Sequence, residues 1–301
     1  MSTATISVII PTRNRSKEVI RALHSVMRQT IQPVQVIVVD DASTDDTADA
    51  IRKGFPGVML LRNELAVGGA AARNLGAAQA VSDFVAFLDS DDEWLPMHLE
   101  NAIALINLKG ADATFGTFNL LKESELIPVR FFKTSYPKGT IGDHIFSFER
   151  FDARTSTFVF KRNAFLEVRF DDNLRKHQDW DLAINFDRKF TWALDAEPSV
   201  LIHIAVESDR MSSKLNHGAT MYFLEKNARH VHPDYLFAFG VKQIMRCQLN
   251  GESKDIIRQY TQFLKKFSTK LSLKNRVILS LLRSKLLNVG YLYRLKKLLG
   301  K

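Results

Sequence analysis

The 301-residue chain has one cysteine, Cys247, which excludes an internal disulfide framework and any cysteine-based zinc site. Glycine is sparse, at 14 residues, and neither a Walker loop nor a Gly-x-Gly-x-x-Gly pattern occurs, so the common glycine-rich phosphate cradles are excluded. No stretch approaches the roughly 18 uninterrupted apolar residues of a membrane-spanning helix. The start, Met1-Ser2-Thr3-Ala4-Thr5, lacks the basic opening of a secretory signal, and the apolar run after it ends at Pro11. These absences predict a cytoplasmic protein. Acid is missing as well. From Ile256 onward there are 12 Lys and Arg and no Asp or Glu, so the tail carries all the excess behind the net charge of +9. Such asymmetry predicts an anionic partner surface, either membrane or nucleic acid.

What is present is a globular composition, 46% hydrophobic and 25% charged. Over the first 120 residues strand and helix signals alternate. A β-branched run, Ile6-Ser7-Val8-Ile9-Ile10, is followed by helical spacing in Val19, Ala22, Leu23 and Val26. A second buried strand, Val34 to Val39, ends at Asp40-Asp41, and a helix should follow with Ser43 or Thr44 as its N-cap. Residues 58–61 read as a third strand, Gly68 to Ala80 as an Ala-rich helix and 84–88 as a fourth strand. This rhythm predicts an α/β fold with a mostly parallel central sheet covered by helices. Farther on, 111–119 and 157–160 read as strands, 162–168 and a segment through about 188 as helices, and 199–206 as a strand completing the sheet. From 213 the signals are helical. The chain therefore divides into a catalytic domain, 1–210, and a helical, basic and amphipathic region, 211–301.

The chemistry concentrates at strand ends. Phe87-Leu88-Asp89-Ser90-Asp91-Asp92-Glu93-Trp94 places four acids within five positions directly after an apolar run. Buried carboxylates are costly, so these should emerge where the strand stops, at the sheet edge where open α/β folds bind ligands. Hard oxygen donors there suit Mg²⁺ or Mn²⁺ bridging to phosphates, whereas a Ser/Asp-rich stretch could instead cap a helix. Thr12-Arg13-Asn14 and Asp40-Asp41 end two other strands, and right-handed crossovers would bring all three ends to one edge. That convergence is what a nucleotide pocket requires.

With these residues assembled, the chain resembles the family 2 glycosyltransferases, inverting enzymes of GT-A fold, of the bacterial surface-polysaccharide type. The resemblance rests on Ser7 to Asn14, Ala22 to Thr30, Val38 to Thr47, Ala72-Arg73-Asn74-Leu75-Gly76 and Phe87 to Trp94. It implies transfer of a hexose or hexosamine from a UDP-sugar to a glycan or lipid-linked acceptor, with Mn²⁺ or Mg²⁺ on the diphosphate. On this resemblance Asp91 binds the metal, with Asp89 and Asp92 binding metal, ribose or a metal-bound water; Asp92 could equally cap a helix before Trp94. Pro11, Thr12, Arg13, Asp41, Arg73, Asp89 and Ser90 line the nucleotide pocket. Asp41 accepts a hydrogen bond from the uracil imide, or Asp40 does so instead. His203 is a third metal ligand, with a packed strand residue as the alternative and Glu207 as a competitor. Arg210 contacts the diphosphate from a segment over the donor.

Asp179, in Gln178-Asp179-Trp180-Asp181, matches the residue credited with deprotonating the acceptor. Gln178 stands where the family more often has Glu. Removing that neighbouring charge should lower the pKa of Asp179, while Gln178 could orient an acceptor hydroxyl and Trp180 could stack on a sugar or fill the core. Asp181, two residues on, should be structural. A sugar-phosphate nucleotidyltransferase is the alternative enzyme, but it would carry a glycine-rich loop with Arg after the first strand, and Pro11-Thr12-Arg13-Asn14 has no glycine. A non-enzymatic binder of an anionic surface is the other alternative. The leucines of the tail, among them Leu279, Leu282, Leu286 and Leu295, favour a membrane surface over nucleic acid, hence a peripheral position on the inner face of the cell membrane.

Overall fold

The computed structural model describes residues 4–129, 136–147, 151–204 and 216–283. They fall into two compact units, one comprising 4–141 and 151–204, the other 142–147 and 216–283.

The first unit opens with β1 (Ile6–Thr12), α1 (Ser16–Met27), β2 (Gln35–Asp40), α2 (Thr47–Gly54), β3 (Met59–Arg62), α3 (Gly69–Ala78) and β4 (Phe84–Phe87). It continues through β5 (Glu93–Trp94), α4 (His98–Lys109), β6 (Ala113–Gly116), β7 (Phe118–Lys122) and β8 (Glu125–Val129). After the start of α5 (Ile141–Ser147) come β9 (Val159–Lys161), α6 (Arg162–Val168), α7 (Gln178–Asp187), β10 (Trp192–Asp195) and β11 (Val200–Ile204). Seven strands form one sheet in the order β10-β6-β9-β4-β1-β2-β3. Every pairing in it is parallel except those of β9, which runs antiparallel to both β4 and β6. The expected α/β fold with a mostly parallel sheet is what forms.

Alternation along β1 explains the layering. Val8 and Ile10 join Val19, Leu23 and Val26 of α1 in the core on one face. Ile9 points the other way, with Val39, onto α3, where Gly76 lets the helix lie close. A Cβ at Gly76 would sit 2.6 Å from Ile9 Cγ2 and 3.2 Å from Val39 Cγ2. Farther along, Phe87, Phe158, Phe160, Phe165, Phe186 and Trp192 form a chain of mostly edge-on or tilted ring contacts at 4.7–6.0 Å.

Several local expectations change. The strand expected over 199–206 does not complete the main sheet: its described part, β11, lies in a second sheet, ordered β5-β11-β7-β8, and 205–206 lie outside the described residues. The run 111–119 is broken at Thr117, so β6 and β7 serve different sheets. Helix α2 begins at Thr47, with Asp46 at the N-cap position, rather than beside Ser43 or Thr44. Ser43 is used instead to accept a hydrogen bond from the Asn14 amide, at 2.9 Å.

In the second unit Phe146 of α5 packs on Phe223 of α8 (His217–Asn227) and Phe239 of α9 (Pro233–Leu249), with ring centres 5.4 and 5.0 Å apart. Helix α10 (Lys254–Lys265) buries Tyr260, Phe263 and Leu264, and Leu264 closes over Gly240 of α9. Thus the tail begins as part of a packed helical unit. Helix α11 (Leu273–Arg283) follows, and 284–301 lie outside the described residues. Among the described residues no helix is long and apolar enough to cross a membrane.

Candidate active site

Because β1, β2 and β4 are parallel neighbours, their carboxyl ends share one edge. The loops after β1 and β2 are joined there. The Asp41 amide donates to the Thr12 carbonyl at 2.8 Å, and Asn14 Oδ1 accepts from the Thr44 amide at 2.7 Å. Asn14 and Ala42 both take positive φ, 50° and 61°, to make this turn. Pro11 is half-buried, Thr12 buried and Arg13 exposed. Thr12 Oγ1 is a buried hydroxyl without a hydrogen-bond partner.

The two acids ending β2 are used differently. Asp40 is fully buried; its Oδ1 accepts the Ser43 amide at 2.9 Å and its Oδ2 lies 3.5 Å from Arg62 Nε. Asp41 holds the approach to α3, accepting from Asn63 Nδ2 at 2.9 Å and from the amides of Val67 and Gly68, both at 2.8 Å. Gly68 adopts φ 93°, a conformation that favours glycine; a Cβ there would meet only the end of the exposed Arg175 side chain, which can move aside.

Asp89, Asp91 and Asp92 follow β4, and each offers a carboxylate oxygen within 4.8 Å of the others. Three hard oxygen donors at that spacing fit a divalent cation of the Mg²⁺ or Mn²⁺ type. Nearby cations and donors balance them. Arg73 pairs with Asp89, Arg15 Nη1 lies 2.9 Å from Asp91 Oδ2, and the Ser156 hydroxyl donates to Asp92 Oδ2 at 2.6 Å. Ser156 Oγ also accepts the Asp89 amide at 3.1 Å, and Arg21 Nη2 donates to the Asp91 carbonyl at 2.6 Å. Ser90 is buried between them in sequence. The expectation that Asp92 caps a helix is not met, since β5 follows and α4 starts only at His98.

His203 does not join the three acids as a fourth converging donor. It sits on β11, which pairs antiparallel with β5, and its Nε2 lies 2.7 Å from Glu93 Oε1. Burial and the charge of Arg21 lower its pKa, against the opposing pull of Glu93 and Asp91. Glu93 gathers cations as well, with Arg21 Nε at 3.3 Å and Arg28 Nη2 at 3.6 Å. Glu207 and Arg210 lie outside the described residues.

Arg73 links this edge to α7. Besides Asp89 it donates through Nη1 to Gln178 Oε1 at 2.9 Å, and its guanidinium carbon stands 5.3 Å from the Phe170 ring centre. Asn74, the next residue, clamps the 170–172 segment by donating to the Phe170 carbonyl at 2.8 Å and accepting the Phe170 amide at 3.0 Å. Gln178 also donates to the Leu174 carbonyl at 2.6 Å, so its amide is committed to the protein.

Asp179 stands in the first turn of α7. Its pKa is raised to about 6, opposite to the direction expected from Gln178. Burial is the largest cause, with the charges of Asp152 and Asp89 adding to it; Arg154 and the Trp180 amide oppose the rise. An acid from a distant segment thus stands near Asp179 where position 178 supplies none. Trp180 stacks on His177 at 5.1 Å and donates its indole N–H to Asp152 Oδ1 at 2.9 Å. Asp181 is buried. Sequence reasoning missed Arg15, Arg21, Asp152, Arg154 and Ser156. The available signal for the last three was a polar stretch, Asp152 to Thr157, set between Phe151 and the strand run beginning at Phe158.

The profile of the family described as "Glycosyl transferase family 2" matches residues 7–169. An Erwinia amylovora protein named amylovoran biosynthesis glycosyltransferase AmsB is 28% identical over 265 residues, covering 84% of this chain and 88% of that one. An Escherichia coli protein, named as a UDP-Glc:alpha-D-GlcNAc-diphosphoundecaprenol beta-1,3-glucosyltransferase, WfgD, is 31% identical over 123 residues, covering 40% and 49% respectively. Among solved structures, S. aureus TarS 1–349 superimposes with a TM-score of 0.67 at 18% identity, covering 93% of this chain and 87% of that one. The same protein in complex with UDP-GlcNAc gives 0.60 at 21% identity, covering 90% and 77%.

Proposed function

This chain belongs to glycosyl transferase family 2, and on that premise we propose that it moves a hexose or hexosamine from a UDP-sugar, with inversion, to a lipid-linked or glycan acceptor in bacterial surface-polysaccharide synthesis. The observation that carries this reading is the facing of two chemistries across Arg73: a strand-end acid cluster on one side and a buried acid of raised pKa on the other. Relatives named for amylovoran synthesis and for glucosyl transfer to a diphosphoundecaprenol-linked sugar support the acceptor class.

On the donor side Asp41 is the better base-recognising acid. A carboxylate offers about four lone-pair sites. Three of Asp41's are taken by Asn63, Val67 and Gly68, leaving one on Oδ2 for an imide N–H. Asp40 is sealed inside. Pro11, Thr12, Arg13, Asp89 and Ser90 complete the nucleotide-binding edge. Asp91, with Asp89 and Asp92, would hold Mn²⁺ or Mg²⁺, which when bound offsets negative charge on the departing diphosphate. Arg15 and Arg73 are placed to exchange their carboxylate partners for phosphate oxygens as the donor enters.

On the acceptor side Asp179 takes the proton of the acceptor hydroxyl as its oxygen attacks the anomeric carbon and the bond to the diphosphate breaks on the opposite face. A pKa near 6 leaves Asp179 ionised at neutral pH yet more basic than an ordinary carboxylate, the compromise a general base needs. Trp180 and Gln178 border the acceptor side, and Arg210 belongs to the segment assigned to the donor's diphosphate.

The basic tail fits a second role, holding the enzyme at the anionic cytoplasmic face of the membrane. Lys265, Lys266, Lys270, Lys274 and Arg276 are five of its twelve basic residues, and Leu273 and Val277 are exposed among them. Each basic residue near such a surface contributes about 1 kcal/mol. Because α10 is packed within its unit, the contacting part is the basic surface of that unit rather than a free amphipathic arm from residue 256.

Radiolabelled UDP-glucose, UDP-galactose and their N-acetylated counterparts, offered with a polyprenyl-diphosphate-linked sugar acceptor and Mn²⁺, test the central claim. Transfer from at least one is expected. No transfer or hydrolysis from any of them, in a preparation that binds UDP, would remove the donor assignment.

A further inference from the structure

Residues 151–157 carry a charged pair that the donor edge and α7 do not by themselves explain. Phe151, Ala153 and Thr155 are buried while Asp152 and Arg154 are only partly so, the alternation of an extended segment with one face in the core. Asp152 and Arg154 therefore share the other face. Arg154 directs both Nε and Nη2 at Asp152 Oδ2, each at 2.8 Å. Asp152 Oδ1 is taken by the Trp180 indole at 2.9 Å, one residue beyond Asp179. Two residues along, Ser156 reaches Asp92 and the Asp89 amide. One short stretch is thus tied to both halves of the site.

We propose that Asp152 and Arg154 are positioning residues for glycosyl transfer, Arg154 acting as the counter-charge of Asp179 and Asp152 fixing both that guanidinium and the Trp180 indole beside it. The proposal rests on Asp179 being the base. Asp179 Oδ1 accepts the Trp180 amide at 3.0 Å, so the residue whose indole Asp152 holds is also bonded to the base. The charges acting on Asp179 are those of Arg154 and Asp152 from this stretch and of Asp89 from the strand-end loop. In this arrangement Asp152 restrains Arg154. With Asp152 neutral, the guanidinium turns its full charge on Asp179, which holds its proton less tightly and becomes a weaker base. With Arg154 gone, Asp152 acts on Asp179 without its own cation, and Asp179 stays protonated to higher pH.

The test is the acid limb of kcat/KM for sugar transfer in the full chain. Asp152→Asn should move the limb down and Arg154→Met up, each by about one pH unit or more. Arg154→Lys, which keeps the charge, should return it toward the wild-type position. UDP affinity should stay within about twofold in Asp152→Asn, whose contacts are Arg154 and Trp180; Arg154, whose charge also acts on Asp92, is read by the limb alone. A uniform fall in rate with the limb unmoved in Asp152→Asn and Arg154→Met overturns the proposal and leaves a purely structural pair. Should Arg154→Met fail to fold, Arg154→Gln is read the same way; if no variant at 154 folds, an unmoved limb in Asp152→Asn alone overturns it. Full turnover in Asp179→Asn would instead remove the base assignment itself, a separate outcome.

Discussion

The donor edge and the base site are built on opposite plans. Thr12, Asp41 and the acids at 89–92 come from three chain segments, yet each lies at the end of a parallel strand or directly after one, and adjacency of β1, β2 and β4 delivers them to one place. The base site draws Asp179 from a helix start and Asp152 and Arg154 from an extended stretch 25 or more residues earlier. The first plan is written in local pattern, apolar run then acid, because strand ends in a parallel sheet have only one shared edge to reach. The second depends on which loop packs beside which helix, and no periodicity announces it. Arg73 is the hinge of the comparison, bonded to Asp89 on one side and Gln178 on the other.

If the two halves are functionally separate, single substitutions should separate binding from chemistry. Asp91→Ala is expected to have the largest effect: loss of Mn²⁺-dependent UDP binding, read by calorimetry, and turnover at background with the fold intact. Equal UDP affinity with and without Mn²⁺ in the wild type would leave this half of the comparison without its metal. Next, Asp179→Asn should cost at least about 10²-fold in kcat while UDP affinity barely changes. Retained turnover would shift the base elsewhere, with Asp181 and Glu207 to be examined.

A pH profile sharpens the same contrast. Asp179 works only when ionised, and its pKa lies near 6, so kcat/KM should fall as pH drops through that value, reaching about a tenth of its plateau one unit below. The limb should vanish from the residual activity of Asp179→Asn but persist in Arg73→Lys. A limb near pH 4 would mean that burial does not govern this carboxylate.

Smaller effects test the frame. Gly76→Ala inserts a methyl against Ile9 and Val39 and should cost about 1–3 kcal/mol, seen as a lower Tm, with the pH limb unmoved. Smallest in effect on chemistry is charge reversal at Lys270, Lys274 and Arg276. It should weaken binding to anionic vesicles at low salt and leave transfer to a soluble acceptor unchanged. Wild-type indifference to such vesicles would end the anchoring role.

Sequence by itself determined the alternating α/β order, the parallel strands and the acid cluster at 89–92, because strand and helix periods and the cost of burying carboxylates are local properties that every context must respect. It also marked Asp179 through the motif around it, but misjudged the acid's surroundings. Reading Gln178 as the loss of a neighbouring charge took the nearest residue in sequence for the nearest in space. Tertiary structure decided that burial and Asp152 outweigh that loss, that Glu93 engages His203 beside the acid cluster, and that β11 leaves the main sheet for the second one. Each of these depends on long-range packing, and electrostatic energy follows distance and solvent exposure, which the order of residues along the chain does not contain.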